Sequence, residues 1–538
     1  MKKIFSLIIC GVLLFALLPL SACKKENGSL ELNVYNWEDY IACEDYDMVS
    51  EFEIWYEEEY GEKVTVNYST FGTNENMYNE LKLTQKKDGS YSYDLVCPSE
   101  YMIQKMIKED MLEIYDHDEK MPNYNQNVAK YIKDLFVANN WHDYAVCYNW
   151  GTMGFTYNPE FVEFSDVESW SVVTKQEYAN KITIKDSVRD SYVLALGYVN
   201  GDNLLQLKET YDINSKDYND RVYELLNDFS DESIEKARIF LTETRKNLYG
   251  FEVDSGKQDM ASGKLWINFA WSGDAVYAMD IAEESDTYLE YVVPIEGSNI
   301  FFDGWVMPKG ANTELAQIFL NFMYREDNAI ENLDYICYSS PIVGEDVYDY
   351  VCNNYGLTTV IETDPVPDEE LEELEVFIVG DKYYKEVPLN LDPNYNGQSA
   401  YRLTYYDEES DSVITDEEET EIFAHSIKHF FGDSISGDGI VYTDTLNRQL
   451  VAMYPTSETM NRCVVMQHLE TEQLKKLNNM WDSVKVGYLP YSTMLIIVII
   501  SILVIGGIIT FITLRKKGFS LLHRKSNFGT LVKSERIK

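Results

Sequence analysis

Residues 493–514 read TMLIIVIISILVIGGIITFITL, 22 positions without one charged side chain. At 1.5 Å rise per residue a helix of that length spans about 33 Å, enough for a hydrocarbon core about 30 Å thick. Helices buried in globular domains are seldom so long or so evenly apolar, so the run is expected to cross a membrane once. Pro490 stands just before it, and Arg515, Lys516 and Lys517 follow at once. Residues 515–538 carry eight Lys and Arg against one acid, Glu535. The positive-inside rule makes that tail cytoplasmic and places the chain before the run on the far side of the cell membrane.

The other end agrees with export. Lys2 and Lys3 precede an apolar stretch from Ile4 to Leu20 that closes in LSAC, Leu20–Cys23. A basic start, a short apolar centre and small residues before the break mark a secretory signal over residues 1–22. A cysteine after the small pair resembles the lipobox of bacterial lipoproteins. That resemblance implies lipidation of Cys23 and a linker over 23–29, giving a second membrane anchor.

The formal net charge of −46 argues against nucleic acid, which needs basic patches to meet phosphate. Most of that charge reads as solvation, and it also raises the local concentration of cations. Cys43, Cys97, Cys147, Cys337, Cys352 and Cys463 are scattered without C-x-x-C spacing, so neither a zinc site nor a dense disulfide framework is expected.

Between the ends, strand and helix patterns alternate. LNVYNWEDYIA (Leu32–Ala42) opens with a short buried strand. Met48, Phe52, Trp55 and Tyr56 recur at helical spacing up to Gly61, and KVTVNYST (Lys63–Thr70) alternates as a strand. SYDLVCPSEY (Ser92–Tyr101) is a buried strand entering a polar turn, with a helix after it. Such alternation predicts an α/β domain with a mostly parallel sheet. Ligands of open sheets in that class sit beyond the carboxyl ends of the strands. NWEDY, PSEY, KDSVRD (Lys185–Asp190), FAWSGDA (Phe269–Ala275) and IFFDGW (Ile300–Trp305) are all expected at such ends. Residues 345–440 are an acidic insertion of solvated loops, with VFIVGDKYYKEV as a hairpin inside it. From 441 to 486 the pattern turns helical, carried by Met466, Leu469, Leu474, Leu477 and Trp481.

Enzyme signatures are scarce: there is no H-E-x-x-H, G-x-S-x-G, Walker A loop or dinucleotide fingerprint. No catalytic residue, cofactor or metal is expected. His425 and His429 lie four apart on a predicted helix and read as surface histidines. DPNYNG (Asp392–Gly397) matches half of a calcium loop, but its twelfth position is Leu403 rather than the required glutamate. What recurs is an aromatic ring beside an acid: Trp37 with Asp39 and Tyr40, Trp271 with Asp274, Phe301 with Asp303. Ring faces attract an ammonium group by about 0.5–2 kcal/mol each, and a charge-assisted hydrogen bond adds about 1.5–3 kcal/mol. Methylene stems pack on the same rings. The pattern suits an amphipathic organic cation.

At these residues the chain resembles the extracellular spermidine/putrescine-binding proteins of ABC transporters. STFGTNENMYNELK (Ser69–Lys82), YDLVCPSEYMIQKM (Tyr93–Met106), YNWGTMGFTYN (Tyr148–Asn158), FAWSGDAVYA (Phe269–Ala278) and IFFDGWVMPKGA (Ile300–Ala311) follow LNVYNWEDYIA in the family's order. The resemblance covers about residues 30–345, with a resumption around 450–486. It implies a two-lobe, periplasmic-binding-protein-like (type II) α/β fold with a hinge. Lobe 1 would comprise about 30–152 and 300–344, and lobe 2 about 153–299. It further implies an aromatic box of Trp37, Tyr40, Trp271, Phe301 and Tyr338. Asp39, Asp190, Asp274 and Asp303 would take the ammonium groups, with polar contacts from Ser99 and Tyr101. Glu38 stands where relatives have a small hydroxyl residue and so joins the candidate site, and Ser187 replaces an acid of some spermidine binders. Asp274 is similar to the putrescine-binding branch, which leaves diamine against triamine open. The implied function is capture of putrescine or spermidine for import through ABC permease subunits. The alternative is a surface sensor or adhesion lipoprotein on the same fold.

Overall fold

The computed structural model describes residues 30–356 except 286, together with 423–443 and 449–486. Between these it describes the backbone of short strands within 359–415, and beyond 500 a few isolated positions. Residues 1–29 with Cys23, nearly all of the apolar run, the basic tail and residues 393–397 of DPNYNG lie outside the described residues. Among the described residues no helix is long and apolar enough to cross a membrane.

The opening unit follows its pattern. β1 (Leu30–Trp37) buries Leu32, Val34, Tyr35 and Asn36. The helix Met48–Tyr60 starts at Asp47, whose carboxylate accepts from the Ser50 backbone N–H. It buries Met48, Phe52 and Tyr56 and stops at Gly61 with φ 69°, a left-handed turn that glycine adopts without strain. β2 (Val64–Phe71) and β3 (Leu95–Val96) both pair in parallel with β1. The chain then forms β4 (Ala145–Tyr157), β5 (Ile182–Lys185), β6 (Gly250–Glu252), β7 (Ile267–Trp271), β8 (Glu290–Val292) and β9 (Ser298–Val306). The sheet runs β2-β1-β3-β9-β4-β7-β5-β6, with β8 also pairing β4 and the short strand Cys463–Val464 pairing β9.

Two hydrophobic cores divide this sheet, and β4 and β9 cross from one to the other. Val34, Phe52, Ile103, Trp150, Phe302 and Trp305 belong to the first core. Met153, Phe155, Tyr192, Phe269, Phe301 and Trp481 belong to the second. On β4 the change of core falls between Trp150 and Met153, while on β9 Ile300 and Phe302 face the first core and Phe301 between them faces the second. β4 pairs antiparallel with β9 up to Thr152, then with β7 from Met153 onward. Every residue of both strands is buried, as expected of segments covered on both sides.

Several expectations need correction. IFFDGW lies within the long strand β9 instead of at a strand end, because the crossover needs continuous backbone there. The acidic stretch after 344 is partly core: helix Glu345–Tyr355 buries Val347 and Val351, and Ile427, Phe430, Phe431, Ile435 and Val441 join them. On that helix Glu345, Asp346 and Asp349 are exposed on the side away from these apolar residues. VFIVGDKYYKEV does form a hairpin, with Val376–Val379 antiparallel to Lys382–Val387. Met466 and Leu469 precede the helix Thr471–Val486. Met466 and His468 are held in a non-helical segment by Glu100 and Gln104 of the helix Glu100–Lys108. His425 lies buried in the strand Phe423–Ser426, its Nε2 at 2.6 Å from the Tyr454 carbonyl, while His429 sits on a separate helical turn, Lys428–Phe431. They share no helix face. Cys43, Cys97, Cys147, Cys337, Cys352 and Cys463 are all free thiols.

Candidate functional site

Asp303 is the centre of the first half of the site. Its place on β9, one residue past Phe302, aims it into the space between the two cores. The carboxylate accepts from the Ser99 hydroxyl at 2.6 Å and from the Tyr40 hydroxyl at 2.9 Å, and it is 6 % exposed. Burial pushes its pKa up to about 6, opposed by those two donors and assisted by nearby Asp190. Asp190 arrives from the second core, in the first turn of helix Val188–Val199, which Ser187 caps. Burial likewise pushes it up to about 6, opposed by Ser187, Lys185 and Arg189. Among the described residues neither acid forms an ion pair within 4 Å. Two desolvated carboxyls thus share the space between the cores, each poorly stabilised when charged.

Rings surround this pair. Tyr40 is buried and packs edge-on against Tyr338, with ring centroids 5.0 Å apart, and Tyr338 meets Phe301 at 6.4 Å. Trp37 is half-buried and leans on Phe71 at 4.6 Å. Asn74 ties Ser99 to Tyr101 by donating to both hydroxyls, at 3.1 and 3.0 Å. The guanidinium of Arg189 covers the Tyr101 ring at 4.6 Å. Glu38 and Asp39 are exposed, and Asp39 turns the chain with φ 49°. Asp39 therefore ends β1 as a turn residue, a conformation that Asn and Asp tolerate better than most, and neither acid is drawn in beside Asp303.

Asp274 organises the second half. It sits in the first turn of helix Ser272–Glu283, directly after β7. Tyr338 donates to its Oδ1 at 2.8 Å, and Lys185 donates to its Oδ2 at 3.0 Å. Close packing here demands glycine: a Cβ on Gly273 would come within 2.2 Å of the Tyr338 ring, and one on Gly151 within 2.4 Å of the Ser272 hydroxyl. The ammonium of Lys185 also stands 4.1 Å from the centre of the Trp271 ring and pairs with Glu252 at 3.2 Å.

The structure thus brings Tyr40, Ser99, Asp190 and Asp303 into one cluster and Trp271, Asp274 and Tyr338 into another, joined by the contacts of Tyr338. Sequence reasoning missed three charged residues of this region. Lys185 ends β5 as the one charge in a buried strand, ITIK, and that incongruity was the available signal. Arg189 and Glu100 are buried as well, and Glu100 is pushed up to about 8 by burial. Their polarity suggested solvent, and only the contact between the cores encloses them. Among the described residues no three His, Cys, Asp or Glu side chains are grouped to hold a metal ion.

A mixed α/β fold with paired cores, crossover strands and an acid-and-ring site between them defines a solute-binding protein of the periplasmic type. Residues 48–346 match the family model described as bacterial extracellular solute-binding protein, and the chain belongs to that family. Its members are not enzymes. The chain is 30 % identical over 311 residues to the spermidine/putrescine-binding periplasmic protein of Salmonella typhimurium, covering 58 % of this chain and 77 % of that one. It is also 30 % identical over 337 residues to the putrescine-binding periplasmic protein SpuD of Pseudomonas aeruginosa, covering 58 % and 80 %. In fold it is similar to the putative spermidine/putrescine ABC transporter from Listeria monocytogenes, with a TM-score of 0.54 and 24 % identity over 85 % of this chain and 99 % of that one.

Proposed function

We propose that this chain captures putrescine or spermidine between its two cores and delivers it to the permease subunits of an ABC transporter. The observation that carries this is the Asp190–Asp303 pair: two buried carboxyls from opposite cores, ringed by Tyr40, Phe301 and Tyr338, with no cation of the chain paired to either among the described residues. A ligand ammonium supplies the missing countercharge, and the rings cover its methylene chain. The relatives are named for these amines, which supports the same ligand class here. The two cores act as type II lobes hinged on β4 and β9, closing when the ligand joins acids from both sides. Cys23 lipid and the 493–514 helix hold the receptor at the outer face of the cell membrane, with 515–538 in the cytoplasm.

Of the twelve candidate residues, Tyr40, Ser99, Asp190, Phe301, Asp303 and Tyr338 form the ligand-facing set. Tyr101, Trp37, Trp271 and Asp274 line its margins, and Glu38 and Asp39 are assigned to the rim. Isothermal titration of the full chain in detergent against putrescine and spermidine tests the assignment. At least one amine binds, and Asp303→Asn lowers its affinity by tenfold or more (about 1.4 kcal/mol). Failure of every di- and triamine, with binding of another solute, overturns the ligand class.

A further inference from the structure

The Trp271–Asp274 end of the site already holds an ammonium group, and it is the chain's own. Lys185 is 1 % exposed. Its Nζ donates to Asp274 Oδ2 at 3.0 Å and to the Val253 carbonyl at 2.8 Å, and pairs with Glu252 Oε1 at 3.2 Å. Three acceptors match the three protons of an ammonium. The same Nζ lies 4.1 Å from the centre of the Trp271 ring. An indole face with two carboxylates and a carbonyl is the kind of enclosure that binds an alkylammonium ligand, here occupied from within.

The box is built to keep it. Asn268 Nδ2 and the Gly256 backbone N–H donate to the two oxygens of Glu252 at 3.0 and 2.8 Å. Burial disfavours a charged lysine, yet Asp274 and Glu252 outweigh it and hold the pKa of Lys185 above the ordinary value. Lys257 stands 3.9 Å from Asp274 Oδ1 and the same distance from Asp254. Two lysines thus face the carboxylates of Asp274 and Glu252. The Asp190–Asp303 end, by contrast, has no ion-paired lysine or arginine among the described residues. Charge within the site is therefore lopsided: two acids without an ion-paired cation at one end, and two lysines set among Glu252, Asp254 and Asp274 at the other.

We infer that Lys185 is a specificity-determining residue, a resident ammonium that limits the cleft to a ligand of two positive charges. This rests on the polyamine reading above. A diamine matches the two carboxyls that have no ion pair within 4 Å among the described residues. A triamine of greater length brings its further ammonium toward Lys185 and Lys257, where like charges meet in a desolvated space and Asp274 has both oxygens engaged.

Titration calorimetry of the full chain against putrescine and spermidine gives the ratio of their Kd values, measured on the wild type, on Lys185→Met and on Lys185→Met combined with Glu252→Gln. The double variant removes a cation and an anion together, so the net charge of the core is unchanged and Asp274 retains Lys257 at 3.9 Å. The wild type favours the diamine, and both variants shift the ratio toward the triamine by about tenfold or more. A wild type that binds the triamine at least as tightly as the diamine overturns the inference whatever the variants do. So does an unmoved ratio in the double variant with its thermal transition retained. If the wild type binds neither amine, the polyamine assignment itself falls. If it binds amines and the ratio does not respond to Lys185, only the role of Lys185 is lost.

Discussion

The hydroxyl of Tyr40 donates to Asp303 at 2.9 Å, joining the turn after the first strand to a crossover strand 263 residues later. Both groups are buried, and burial pushes the tyrosine hydroxyl well above its ordinary pKa, with Asp303 adding to the shift. The tyrosine is therefore always a donor at physiological pH, and its proton stabilises the charged form of the acid.

Removing that donor tests its contribution. Tyr40→Phe keeps the ring against Tyr338 but leaves Asp303 with Ser99 alone, so Asp303 becomes harder to ionise. A hydrogen bond to a charged group is worth about 1.5–3 kcal/mol, and putrescine affinity measured by calorimetry at neutral pH falls about tenfold. The loss shrinks as pH rises, because higher pH restores the ionised acid. A loss independent of pH would assign Tyr40 to ring packing only.

The acid pair also sets a pH window. Asp190 and Asp303 have folded values near 6, above the ordinary aspartate value of 3.8. The folded state therefore holds protons that the unfolded chain has already released. In the ligand-free chain the stability these groups contribute is full below about pH 4 and lost as pH rises through about 6. A cationic ligand needs the ionised forms, so its effect runs in the opposite sense. The rise in Tm caused by saturating putrescine grows between about pH 5 and pH 7. A rise that is flat or larger at the acid end would remove Asp190 and Asp303 from the ligand contact.

Gly273 tests the packing that links the two halves. Its missing side chain lets the Tyr338 ring lie against the backbone, where a Cβ would meet ring atoms at 2.2–2.4 Å. Gly273→Ala forces Tyr338 away from Asp274 and from Tyr40, at an overpacking cost of about 1–3 kcal/mol. Thermal unfolding shows a lower Tm, and putrescine binding weakens by more than Tyr338→Phe weakens it, because the substitution displaces the ring as well as its hydroxyl. Equal effects of the two variants would mean that the ring relaxes without disturbing its neighbours.

Much of this was legible because it is local. The helix Met48–Tyr60 announces itself by apolar spacing and stops where Gly61 takes a positive φ. Asp274 and Asp303 stand out because an acid beside an aromatic ring is costly without a partner, whereas Asp190 is reached only through the family resemblance. Other features failed for a shared reason. Asp39 carries the same local signature as Asp303, yet it is exposed at a turn while Asp303 is enclosed by Tyr40 and Ser99. The helical spacing from Met466 to Leu469 was overridden by Glu100 and Gln104, which hold the backbone of Met466 and His468 in another conformation.

By itself the sequence determined the α/β alternation, the collinear motifs of a solute-binding family and the supply of rings and acids from which a cation site is made. These follow from periodicity and residue chemistry, which act over a few positions. Tertiary structure alone decided which acids are left without an ion pair. The Lys185 side chain neutralises Asp274, 89 residues away in the chain, while Asp190 and Asp303 meet across two cores with no such partner among the described residues. Burial and pairing between distant segments set the energy of a charge, and neither is written in the neighbours of a residue along the chain.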